Sequence, residues 1–110
     1  MKPIVLEYKD GEIYTLEFNR ETVAMAEEDG FRRTDAADKL MIRLPQLFYF
    51  AFKKNHPTIQ RAKTDQILFD DLGGVSEEMM DRLLELFDNP YGELINVNGK
   101  VKNPQVTVKL

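Results

Sequence analysis

The segment Leu44-Pro45-Gln46-Leu47-Phe48-Tyr49-Phe50-Ala51-Phe52-Lys53-Lys54-Asn55-His56-Pro57 constrains this chain most, because four aromatic residues fall within five consecutive positions. Apolar surface this dense must be buried in the protein's own core or covered by something else, since its exposure costs about 25 cal/mol per Å². The run lies inside a longer periodic stretch. Ala37, Leu40, Met41, Leu44, Leu47, Phe48, Ala51 and Phe52 recur at i, i+3, i+4, i+7 spacing, the stripe of an amphipathic helix. On a wheel of about 100° per residue, a helix from Ala36 to Lys54 places Ala37, Leu40, Leu44, Phe48 and Ala51 on the core face, with Phe52 at its edge. Tyr49, Phe50 and Ile42 project to the opposite side, which Lys39, Gln46 and Lys53 share. Two outcomes follow. Either the helix is central and both faces are covered, or Ile42, Tyr49, Phe50 and Lys53 form an exposed partner-binding patch. Pro45 removes one helical hydrogen bond and crowds the preceding turn. The helix therefore kinks there, or one helix ends near Leu44 and Pro45 opens the next.

The flanking sequence predicts an α+β fold. Ile4–Tyr8 and Ile13–Phe18 are rich in β-formers, and the Asp10-Gly11 between them signals a hairpin. Tyr14, Leu16 and Phe18 share the inward face. Asn19 is placed to cap a helix over Arg20–Glu28, with Val23, Ala24 and Ala26 as its apolar members and Gly30 as its stop. Thr34 caps the aromatic helix. Thr58 caps a third helix from Ile59 to about Leu72, which Gly73-Gly74 ends. Ser76 caps a fourth, with Met79, Met80, Leu83, Leu84 and Phe87 as its stripe and Asn89-Pro90-Tyr91-Gly92 as its stop. Beyond it, Asn98-Gly99 is a second hairpin signal and Gln105–Leu110 alternates like an edge strand. The expected architecture is an N-terminal β-hairpin followed by three to four helices in one domain, 1–110. Residues 93–110 are either a mobile tail or a C-terminal hairpin or strand joining the sheet.

Composition narrows the chemistry. There is no cysteine, which excludes disulfides and thiolate metal sites, and one histidine, His56. Asp70-Asp71 and Glu77-Glu78 lack the spacing of a calcium loop. His56 and the lone serine, Ser76, read as helix-end and cap residues rather than a catalytic pair, with His56 favoured at a negative helix end when protonated. No catalytic residue, cofactor or metal is expected. The N-terminus becomes charged too soon for a signal peptide, and the longest apolar run is six residues, against the ~18 needed to span a membrane. A cytoplasmic protein is expected. Charge is segmented: residues 1–30 carry 3 basic and 8 acidic side chains, 31–63 carry 8 and 2, 64–93 carry 1 and 9, and 94–110 carry 3 and none. The favoured reading is that opposite segments neutralise each other in the fold; the other is a bipolar surface that steers a charged partner. The basic middle has interleaved aromatics, but a pI near 5.0 and the lack of any motif argue against nucleic acid.

A hairpin, an Asn-capped helix ending near Glu27-Glu28-Asp29-Gly30-Phe31, the Leu44–Pro57 aromatic helix, an acidic helical second half and a polar tail ending Lys102-Asn103-Pro104-Gln105-Val106-Thr107-Val108 follow in order. This layout resembles the small tail assembly chaperone-like proteins of long-tailed phages and prophages of Gram-positive bacteria. The resemblance is one of layout over most of the chain, and no motif in it is diagnostic. It implies a non-enzymatic protein that binds the tape measure protein and recruits tail tube subunits, with self-association of the chain as a further expectation and the host cytoplasm as its location. It carries over no site residue. The alternative function is a small intracellular interaction or regulatory module of phage or bacterial origin.

Overall fold

The computed structural model describes residues 1–110. Strands β1 (Ile4–Glu7) and β2 (Ile13–Leu16) form an antiparallel hairpin in which Ile4 pairs Leu16, Val5 pairs Thr15, Leu6 pairs Tyr14 and Glu7 pairs Ile13. The turn works as its residues predict. Gly11 takes φ 95°, and the Asp10 carboxylate accepts from the Glu12 N–H at 2.9 Å. Leu16 and Phe18 are buried on the inner face, while Val5 and Ile13 are exposed on the outer one.

Helix α1 (Arg20–Glu28) starts at a reciprocal cap. The Asn19 side chain accepts from the Thr22 N–H at 2.9 Å, and the Thr22 hydroxyl accepts from the Asn19 N–H at 2.9 Å. Gly30, with φ 98°, turns the chain out of it. A short 3-10 turn at Arg33–Asp35 follows. Helix α2 (Leu40–Phe52) begins later than the periodicity predicts. Its N-cap is Lys39, without a side-chain bond, rather than Thr34. Pro45 lies inside one continuous helix. The amide it lacks would have reached the carbonyl of Met41, in an exposed first turn where water can serve instead.

The expected third helix is shorter and changes pitch. Regular α3 (Arg61–Gln66) runs straight into a π-helical segment at Ile67–Asp71, which buries Ile67 and Leu68. Thr58 does not cap it; the N-cap is Gln60. Helix α4 (Glu77–Asp88) is capped as its sequence predicts, with the Ser76 hydroxyl accepting from Met79 N–H at 3.1 Å. It continues into a 3-10 segment at Asn89–Glu93.

The core joins all these elements. Phe87 makes edge-on contacts with Phe18 at 5.3 Å, Phe31 at 4.8 Å and Tyr91 at 5.8 Å between ring centroids. On the other side Phe52 packs edge-on with Phe48 at 5.0 Å and Tyr14 at 5.6 Å. The sheet has two strands only. Of the two alternatives for the tail, the hairpin or third strand does not form: residues 94–110 carry no helix or strand, and all are exposed. Asn98-Gly99 makes a turn, Gly99 N–H to Asn96 carbonyl at 3.1 Å, but no flanking segments pair across it. The tail extends the molecule to 54 × 34 × 25 Å. Its radius of gyration is 16.3 Å, against about 13 Å for a compact chain of this length.

Candidate partner-binding surface

A polar chain anchors the middle of helix α2 to the end of α1. Gln46 is buried, and its amide donates to the Asp29 carbonyl at 2.8 Å and the Asp29 carboxylate at 3.0 Å, at the end of α1. Arg43 donates to the Gln46 side-chain oxygen at 3.1 Å and pairs with Asp35 at 3.0 Å. That bond from Arg43 holds the Asp35 carboxyl below its usual range. Gln46 thus belongs to the α1-facing side of α2, not to a solvated back face.

Phe50 lies one turn beyond Gln46 on the same side. It is 6% exposed, which corrects the expectation that it could project outward. A wheel drawn for one helix ranks residues by angle but does not know that α1 covers this side. Tyr49 is half-buried and meets Phe50 edge-on at 4.9 Å. Its ring is flanked by two cations, Lys53 at 5.4 Å and Arg61 at 5.9 Å from the centroid. Lys53 also donates to the Pro57 carbonyl at 2.6 Å, so its ammonium serves to close the loop leading to α3.

Of the four residues singled out by the wheel, Ile42 is the one left open, at 59% exposure. It does not stand alone. Met41 is 85% and Leu40 46% exposed, although periodicity places both in the core stripe. The apolar period runs from Ala37 onward, but α2 starts at Leu40, so its first turn overhangs the neighbours that hold it from Arg43 onward. On this helix the accessible apolar surface therefore lies at the first turn, before the aromatic run. The signal that could have located it is the absence of a capping residue at Lys39.

The other polar groups are committed to structure. His56 accepts the Thr15 N–H through Nε2 at 3.0 Å and packs edge-on to Tyr14 at 5.1 Å. Its own backbone N–H closes on the Phe52 carbonyl at 2.8 Å, so the residue both ends the turn after α2 and ties it to the hairpin. Asn55 donates to the Thr15 carbonyl and the Glu17 carboxylate, each at 3.1 Å. Lys54 pairs with Glu17 at 3.1 Å, and Arg33 with Asp88 at 3.2 Å. These two pairs join the basic middle to the acidic segments on either side of it, as the favoured charge reading expects. No group of three or more His, Asp or Glu side chains comes together as a metal site.

The chain belongs to the family described as Domain of unknown function (DUF5055), whose profile matches residues 2–110. No curated protein and no solved structure matches it.

Proposed function

We propose that this DUF5055 chain is a tail assembly chaperone-like protein, non-enzymatic, which binds the tape measure or tail tube protein during assembly. The observation that carries this reading is the uncovered apolar turn Leu40-Met41-Ile42 on a helix otherwise firmly anchored. Such a surface suits a client whose own apolar segments need cover before assembly. The order of hairpin, capped helix, aromatic helix and polar tail supports the same family likeness. Ile42 would sit at the contact, and Tyr49 with its flanking Lys53 would border it.

Co-expression with the tape measure and tail tube proteins encoded in the same phage or prophage tests the reading. The intact chain is expected to co-purify with one of them. Ile42→Asp is expected to weaken capture about tenfold or more while leaving the melting temperature unchanged, because Ile42 is exposed. A chain that captures neither protein overturns the tail-assembly role. Capture that Ile42→Asp leaves intact removes the contact from the start of α2.

A further inference from the structure

The hairpin is closed on one side and open on the other. Along the far edge of β2, the end of α2 and the turn after it take up the backbone groups: Thr15 N–H goes to His56, Thr15 carbonyl to Asn55, and Glu17 N–H to the Ala51 carbonyl at 2.9 Å. The sheet can therefore grow only at β1. Because the Thr15 groups point toward α2, the Val5–Thr15 pair is a non-hydrogen-bonded one, and the Val5 and Glu7 N–H and carbonyl groups point out of the sheet. No hydrogen bond outside the hairpin uses them. Val5 is 46% exposed, and β2 is the one strand beside β1. An open edge of this kind is a template for another strand.

The same chain carries a strand without a sheet. Gln105-Val106-Thr107-Val108-Lys109-Leu110 alternates polar and apolar residues and is β-branched at Val106, Thr107 and Val108. Val106, Val108 and Leu110 share one face of an extended chain and are all exposed. Residues 94–110 carry three lysines and no acid, whereas residues 1–30 carry eight acids and three basic residues. Within a single chain, edge and strand stay apart.

We propose that residues 105–110 of one copy add as a third strand to the outer edge of β1 in a second copy. Val106, Val108 and Leu110 then extend the inner face begun by Ile4 and Leu6, and Lys109 lies near the acidic hairpin. The contact joins edge and tail from different surfaces, so it closes as a reciprocal tail exchange or a larger ring, or grows as an open chain. Self-association of this kind stands whether or not the tail-assembly role does.

The test uses full-length protein in sedimentation equilibrium. The intact chain is expected to gain mass with concentration. Thr107→Pro with Val108→Pro removes two consecutive backbone donors, one of which faces the β1 edge whichever way the added strand runs; neither donates within the single chain, so the fold is untouched, and association is expected to weaken about tenfold or more. Val5→Pro blocks the edge at an outward-pointing amide. Mixing the two variants restores one intact edge and one intact tail, and is expected to give a one-to-one heterodimer. An intact chain that stays monomeric overturns the proposal. So does a tail double-proline variant that associates like the intact chain; this arm stands even if Val5→Pro does not fold. A mixture that stays monomeric while both variants keep the intact melting profile shows that edge and tail do not meet between copies, and also overturns it.

Discussion

Gln46 shows how much one side chain can settle. Its polarity and wheel angle suggest a solvated position, yet it is 4% exposed and joins α2 to the end of α1 through Asp29. Gln46→Leu keeps the bulk and removes the bonds. The Asp29 carbonyl and the Arg43 guanidinium then lose a partner, and the variant is expected to be less stable by about 1–3 kcal/mol in urea unfolding. A variant as stable as the parent would show that water replaces the amide. His56 was equally illegible. Its place at the end of a helix is plain in the sequence, but the strand amide it accepts comes from Thr15, 41 residues earlier. By contrast, Asn19, Gly30 and Ser76 were legible because their partners lie within three residues or in their own φ angle.

At the level of elements, the junction of β2 with the end of α2 is where pH should act. The Glu17 carboxyl is held below its ordinary value of 4.5, chiefly by the Asn55 hydrogen bond and further by Lys54. A carboxyl with a lowered folded pKa contributes stability that is present above the ordinary value and lost as pH falls through the folded one. The melting temperature is therefore expected to fall more steeply between about pH 5 and 3 in the parent than in Glu17→Gln. Equal slopes would place the acid sensitivity elsewhere. At the alkaline end, Tyr91 donates to Glu27 at 2.6 Å, linking the segment after α4 to α1. Burial, then this bond, pushes its phenol up to about 12. Its contribution is full below the ordinary 10.0 and is lost as pH rises toward about 12. Tyr91→Phe is expected to remove this alkaline loss in a pH series of thermal melts.

For the molecule as a whole, Phe87 ties together β2's end, the α1–α2 connection and α4 through Phe18, Phe31 and Tyr91. Phe87→Ala is expected to cost about 3–5 kcal/mol by urea unfolding, a large share of the ~5–15 kcal/mol typical of a domain. A loss under about 1 kcal/mol would mean that the core collapses around the gap. No helix is long and apolar enough to cross a membrane, and exposed apolar residues cluster at the start of α2 and along the tail, with others, such as Ile13 and Phe69, elsewhere on the surface.

The sequence by itself determined the hairpin, the order of helices, α1 to the residue, and the caps of α1 and α4. These depend on turns, caps and periodicity, which act over a few neighbouring residues. Only the tertiary structure decided that Phe50 is covered, that Leu40 and Met41 are not, that Pro45 sits within one helix, and that the alternating tail finds no strand to pair with. Each depends on which distant element arrives beside a given face, and a linear pattern carries the strength of an apolar face but not the identity of what covers it.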